Sequence, residues 1–531
     1  MLTLQNISYT HPNKELLFNG INLTINLRDK IALIGNNGAG KSTLLKIITH
    51  ELQPSTGKVE VNNTLYYVPQ VFGQFNHLNI AQALGIENKL CALKEILAGN
   101  ATEENFATLN NDWTIEDRCR EALAYWQLKG LDFSQAMSSL SGGQKTKVFL
   151  AGIQIHQAEL ILLDEPSNHL DIASRDLLYQ WIQNIKSTLL IISHDRKLLN
   201  LLNTVGELTK TGINIYGGNY NFYAAQKQIE NNALNQDIQS KEKALRKAKE
   251  KERETLERRQ KQDARGKRKQ EKAGVARIMM NTLRNSAENS TAKTKDIHAE
   301  KIGGITNELK TLRANVADID KMKFGFDSAQ LHKGKILFKA TKLNYSYANK
   351  FLWRNDLNVQ IDSGERIALK GANGAGKTTL IKIILGDLKC SAENVYLAIP
   401  NAVYIDQEYS LIDNNLSVYE QAQRYNIHAL QEHEVKVRLN RFLFGKDNWN
   451  KLCASLSGGE RMRLMLCCLT VRNIAPDLII LDEPTNNLDI QNIEILTAAI
   501  NEYEGTLIVV SHDEFFLKQI NIAREISLMT E

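Results

Sequence analysis

Residues 31–43 read IALIGNNGAGKST, and residues 367–379 read IALKGANGAGKTT. In each, an apolar run of strand length meets a glycine-rich turn. A helix-period pattern follows, STLLKIIT at 42–49 and TTLIKIIL at 378–385. Both turns fit G-x-x-x-x-G-K-[ST], the phosphate-binding loop. The glycines leave room for backbone N–H groups to close around phosphate, and the helix N-terminus adds the positive end of its dipole. The candidate contacts are Gly35, Asn36, Asn37, Gly38, Ala39, Gly40, Lys41, Ser42 and Thr43. Their counterparts are Gly371, Ala372, Asn373, Gly374, Ala375, Gly376, Lys377, Thr378 and Thr379. Lys41 and Lys377 are placed to reach the β- and γ-phosphates of a nucleoside triphosphate, and Ser42 and Thr378 to ligate Mg²⁺. A chance glycine-rich turn does not account for two copies in the same strand–turn–helix context.

Other blocks repeat in the same order. LSGG stands at 140–143 and at 456–459, ILLDEPSNHLD at 161–171 returns as IILDEPTNNLD at 479–489, and IISHD at 191–195 returns as VVSHD at 509–513. The chain is therefore a tandem duplication of one domain of about 200 residues, a period far too long for a solenoid. The offset between copies falls from 336 to 316 between the first two blocks, so the first copy carries about 20 extra residues, expected within 73–116.

LILLDEP and LIILDEP read as buried strands ending in paired acids. Asp164 and Asp482 suit a Mg²⁺-associated carboxylate. Glu165 and Glu483, one residue on, suit a general base that polarises an attacking water. Without the upstream phosphate loop, Asp-Glu-Pro would read as a helix cap and no more.

The chain has 531 residues, 43% apolar and 24% charged, ordinary for globular protein and too long for one core. No apolar run approaches a bilayer span of about 20 residues. MLTLQNISYT lacks a basic region followed by an apolar core and is not expected to be a signal peptide. Cys467 and Cys468 sit in an apolar run and read as buried free thiols. A cytoplasmic protein is the expectation.

Net charge is only +5, but residues 241–280 hold 16 Lys and Arg against 7 Asp and Glu, a local +9. They belong to a proline-free segment, 223–324, rich in Lys, Glu, Gln, Arg and Ala. Glu242–Arg246, Glu254–Arg258 and Glu257–Lys261 stand at i, i+4 in the favourable order. Ile305, Leu309, Leu312, Val316, Ile319 and Met322 form a heptad-like seam. Two antiparallel helices are expected, the first of about 40 residues and roughly 60 Å long. DARGKRKQEKAGVARIMMN, 263–281, falls at or near their turn. Arg265, Lys267, Arg268, Lys269 and Lys272 there are candidate RNA-phosphate contacts. Ile278, Met279 and Met280 either pack the turn or contact a ligand at the far end, with turn packing expected. The domains expected are 1–222, 223–324 and 325–531.

The phosphate loop, SGG and strand-Asp-Glu together resemble the ATP-binding cassette. The resemblance implies ATP and Mg²⁺ as ligands and adds residues. Gln70 in YYVPQ and Gln407 in VYIDQ match the glutamine that joins the metal site. Ser141, Gly142 and Gly143, with Ser457, Gly458 and Gly459, match the signature that meets the γ-phosphate held by the other cassette. His194 and His512 match the switch histidine, and Asp171 and Asp489 the loop after the acids. Tyr347 matches the ring that stacks on adenine. In the first copy that position is His11, with Tyr9 nearby as either a stacking ring or an ordinary core or surface aromatic.

Two cassettes joined by a charged hairpin, DEPSNHLD and DEPTNNLD, and IYGGNYNFYAAQK at 215–227 resemble the ABC-F group. That resemblance implies an α/β fold of two cassettes joined by a helical hairpin linker, in a monomeric ATPase with intramolecular cassette pairing. It further implies ribosome binding, with rRNA and tRNA as partners, release on ATP hydrolysis and, in some members, antibiotic resistance. The rival readings are the ATPase pair of a membrane transporter and a DNA-associated cassette ATPase.

Overall fold

The computed structural model describes residues 2–528 apart from 13, 273–276, 315–333, 348–349, 373, 390, 400, 473 and 487. The chain separates into two compact units, 1–223 with 322–531, and 224–321. The first unit holds both cassettes.

Cassette 1 is built on a six-stranded sheet in the order Leu65–Val68, Leu160–Asp164, Thr188–Ile192, Lys30–Ile34, Thr204–Thr209, Gly212–Tyr216. The first five strands are parallel and the last is antiparallel. LILLD and TLLII are buried along their whole length, as parallel strands covered on both faces must be. Cassette 2 repeats the order with five parallel strands: Ala402–Ile405, Leu478–Asp482, Thr506–Val510, Arg366–Lys370, Arg524–Ser527. Each cassette adds a three-stranded antiparallel sheet, centred on Leu2–Thr10 in one and Ile336–Asn344 in the other. The core of each cassette lies between these sheets and the helix that follows the phosphate loop.

This topology sets the site. In each large sheet the strand before the phosphate loop neighbours the strand before the histidine, which neighbours the strand ending in Asp-Glu, which neighbours the strand before the glutamine. All four motifs therefore emerge at the carboxyl ends of adjacent parallel strands, where ligands of open α/β sheets bind.

The extra residues of the first copy form two helices, Glu87–Leu97 and Glu103–Leu109, inserted before Ile115–Tyr125. The latter corresponds to Glu432–Arg441 of cassette 2. Cys467 and Cys468 are buried free thiols.

In the second unit the first helix, Tyr220–Lys272, runs 53 residues, longer than the sequence pattern suggests. Its return helix is Arg277–Ala314. Leu309 of the heptad seam is buried, whereas Val316, Ile319 and Met322 lie outside the described residues. Glu242 bonds Arg313 across the pair at 2.5 Å instead of Arg246 along its own helix. Lys241 likewise pairs with Glu308, so the helices run antiparallel. Ion pairs along the first helix include Arg246–Glu250 and Arg253–Glu257. All are exposed and contribute little stability. Among the described residues no helix is long and apolar enough to cross a membrane.

Candidate nucleotide sites

The helix Lys41–Ile48 starts at Gly40, whose φ of 95° is left-handed. A Cβ there would sit 2.7 Å from Leu17 Cδ2 and 2.8 Å from the Phe18 ring, so only glycine fits. Gly376 repeats this at φ 83°, against Leu352 and Trp353. Lys41 is buried, and its Nζ donates to the carbonyls of Gly35 at 2.7 Å and Asn36 at 3.3 Å. Lys377 donates to Gly371 at 2.8 Å and Ala372 at 3.1 Å. Burial lowers the pKa of both ammonium groups, and the nearby Glu and Asp carboxylates oppose the shift. Asn373 lies outside the described residues.

Asp164 is 2% exposed. It accepts from the Ser42 hydroxyl, and its Oδ2 accepts from Tyr67 OH at 3.3 Å. Asp482 is bonded likewise by Thr378 and by Tyr404 OH, the latter at 2.9 Å. Burial raises the pKa of both carboxyls. Asp164 Oδ1 is buried without a partner. An orphaned carboxylate oxygen beside a serine hydroxyl is a donor set that a hard cation such as Mg²⁺ fits. The tyrosines are not among the residues expected from the sequence. The signal was available, because each stands three places before its glutamine, in YYVPQ and VYIDQ. If Asp164 holds Mg²⁺ for ATP turnover, replacing Tyr67 with Phe should lower that turnover only severalfold, because a group that supports Asp164 and not Asp164 itself is lost. Titrating turnover against Mg²⁺ checks this.

Glu165 and Glu483 share a feature that spacing does not reveal. Both are left-handed, at φ 52° and 48°. For a residue with a Cβ this costs about 1–2 kcal/mol. The backbone N–H of each donates to the strand that precedes its histidine, Glu165 to Ile192 O and Glu483 to Val510 O, both at 2.8 Å. The turn aims each carboxylate at its histidine. Glu165 Oε2 accepts from the His194 N–H at 3.2 Å, and its Oε1 lies 3.3 Å from His194 Nε2. Glu483 Oε1 lies 3.3 Å from His512 Nε2. Burial pushes the Glu165 carboxyl up to about 8 and Glu483 to about 7. It also drives His194 well below the usual imidazole range and His512 to about 4. Strained backbone and a displaced pKa at one residue of each copy make Glu165 and Glu483 the candidate functional carboxylates.

One pocket gathers Asn37, Gly38, Gly40, Lys41, Ser42, Thr43, Gln70, Asp164, Glu165 and His194 of cassette 1 with Ser457 of cassette 2. Cassette 2 also sends Asp489, whose Oδ2 accepts from the Asn37 N–H at 2.7 Å while Oδ1 caps its own helix through Asn492 N at 2.8 Å. His11 lines the same pocket, whereas Tyr9 packs against the core. In the second site Tyr347 is 54% exposed, and its OH lies 3.2 Å from Thr379 Oγ1 beside the loop. Ser141 and Ser457 cap the helices Gly142–His156 and Gly458–Val471, each with a reciprocal capping box. Gln407 is exposed and borders a separate hollow with Gly458 of its own cassette. Arg265 is exposed on the long helix. The side chains of Lys267, Arg268, Lys269, Lys272, Ile278, Met279 and Met280 lie outside the described residues.

This geometry, a phosphate loop at the carboxyl edge of a parallel sheet with a signature serine supplied by the other half, defines an ATP-binding cassette protein. The ABC transporter family matches the chain twice, over residues 18–168 and 354–486. The ATP-binding protein Uup of Escherichia coli (strain K12) is 31% identical over 94% of this chain and 76% of its own length. YdiF of Bacillus subtilis (strain 168), named for ATP binding, is 30% identical over 95% of this chain and 77% of its own. The crystal structure of an archaeal ribosome recycling factor, in complex with a ribosomal stalk protein, has the same fold. It aligns at a TM-score of 0.60 and 18% identity, over 98% of this chain and 87% of that one. The chain belongs to the ATP-binding cassette family. Within it, the tandem cassettes and these relatives place it in the ABC-F group.

Proposed function

We propose that the chain is a Mg²⁺-dependent ATP hydrolase that binds the ribosome with ATP bound, acts there through its helical hairpin, and leaves on hydrolysis. The observation that carries the ATPase half is the pocket itself: Ser457 and Asp489 of cassette 2 stand at the phosphate loop of cassette 1.

In this reading the backbone N–H groups of 36–43 cradle the phosphates, and Lys41 exchanges its two carbonyl partners for β- and γ-oxygens. Ser42, Asp164 and Gln70 would hold Mg²⁺ in the first site, and Thr378, Asp482 and Gln407 in the second. The ion would neutralise charge that builds on the transferring phosphoryl group. Glu165 takes a proton from the attacking water, helped by a carboxyl whose pKa lies near working pH. His194 fixes the orientation of that carboxylate. Ser457, with the N-terminal end of its helix, meets the γ-phosphate. Glu483, His512 and the signature of Ser141, Gly142 and Gly143 act alike in the second site. Tyr347 stacks on adenine there, and His11 stands in its place in the first.

Ribosome binding is supported by the ABC-F relationship and by the net +9 over residues 241–280, suited to a phosphate backbone. Arg265, Lys267, Arg268, Lys269 and Lys272 are the proposed contacts.

Composite assembly is tested in a Glu483→Gln background, which leaves only the first site active. Ser457→Arg should then reduce residual turnover by at least about 100-fold, because a donor at the transferring group is replaced by an obstruction. Turnover unaffected by the change would show that the first site works without cassette 2.

A further inference from the structure

The two composite sites are not supplied alike. Four residues after Asp171 stands Arg175, and four after Asp489 stands Ile493. Arg175 lies on the helix Ile172–Asn184, anchored by its Nε to Leu170 O at 3.1 Å. Its Nη1 crosses to cassette 2 and donates to the carbonyl oxygen of His512 at 3.5 Å. Ile493 is buried and apolar, and has nothing to donate to His194 in return.

The contacts next to it run in the same direction. In cassette 1, Lys197 and Asp176 pair with each other at 3.0 Å. The corresponding residues of cassette 2 are Phe515 and Glu494, and both take Arg196 of cassette 1. Its guanidinium lies 4.5 Å from the Phe515 ring centroid, and its Nη2 is 3.0 Å from the Glu494 carboxylate. The counterpart of Arg196 is Glu514, so cassette 2 offers no matching cation at that position.

We propose that Arg175 is a positioning residue that acts in trans on the second site alone, holding the His512 backbone so that His512 and Glu483 keep their alignment. The inference rests on the reading of Glu165 and Glu483 as the hydrolytic carboxylates of the two sites. A guanidinium is charged at every working pH and presents its donors in a fixed fork. The contact is therefore made whenever the cassettes are together and is lost when they part. Hydrolysis at the second site then depends on closure through a bond that the first site lacks. The charge of Arg175 acts in the same place: it opposes the burial that raises the Glu483 carboxyl and adds to the burial that lowers the His512 imidazole.

The test is steady-state ATP turnover in two backgrounds, Glu165→Gln with only the second site active and Glu483→Gln with only the first. Arg175→Ala should lower kcat about tenfold in the first background, the factor carried by one charge-assisted hydrogen bond, with KM for ATP unchanged. In the second background kcat should stay within about twofold, which also shows that the altered chain folds and pairs its cassettes. Arg175→Lys should restore only part of the loss, because an ammonium keeps the charge and a donor but not the fork that is held at Leu170 while it reaches His512. Equal loss in both backgrounds, or a greater loss at the first site, overturns the proposal. If neither Glu→Gln change alone lowers turnover, the site reading itself has failed, an outcome distinct from selective failure of Arg175.

Discussion

Replacing Glu165 and Glu483 together by Gln should lower ATP turnover by about 1,000-fold or more while leaving ATP binding intact. The expectation follows from what the two carboxylates do and do not touch. Glu165 is buried and Glu483 half-buried, and each sits on a left-handed turn against its histidine and that histidine's strand. Neither contributes to the phosphate loop, so the amide keeps the shape and loses only the capacity to accept a proton. General-base catalysis is worth about 10² to 10⁴-fold. Amide replacement also removes one buried and one half-buried titratable group, so the folded chain should be no less stable than the parent. Single-turnover hydrolysis and equilibrium nucleotide binding separate the two effects. Tight ATP binding without hydrolysis is the expected pair of results; fast hydrolysis would remove the assignment of the base.

The second large effect belongs to the linker. Reversing Arg265, Lys267, Arg268 and Lys269 to Glu changes the local charge by 8 units, from +9 to +1 across residues 241–280. Each phosphate contact contributes about 0.7–0.9 to the slope of log K against log salt, so losing four should flatten it by about 3. At low salt the affinity for ribosomes should fall by at least about 100-fold, and ATP turnover without ribosomes should be unchanged. Co-sedimentation across a salt series measures both quantities. An unaltered slope would mean that this stretch is a solvated helix with no phosphate partner.

Much of the fold and of the nucleotide chemistry was legible in the sequence because the chain states it twice. A repeated phosphate loop, Asp-Glu strand end and Ser-His-Asp fix strand, turn and helix locally, and Gln70, Asp164 and Glu165 then reach one pocket by sheet order. What sequence did not offer was lateral. Tyr67 reaches Asp164 because two parallel strands are neighbours 97 residues apart. Asp489 reaches Asn37, and Arg175 reaches His512, only because two halves of the chain meet. The left-handed Glu165 and Glu483 were hidden for a different reason: nothing in Asp-Glu-Pro demands that conformation, and the surrounding sheet imposes it. The length of the first linker helix was underestimated because charge patterning marks a solvated helix without marking where it stops.

The account turns on ATP closing two composite sites and so committing the chain to the ribosome. Its most direct test is sedimentation of the Glu165→Gln, Glu483→Gln chain with purified ribosomes, in ATP and in ADP at the same salt. The account predicts that the chain pellets with ribosomes in ATP and stays in the supernatant in ADP. Pelleting that ignores the nucleotide, or no association in either, would contradict it.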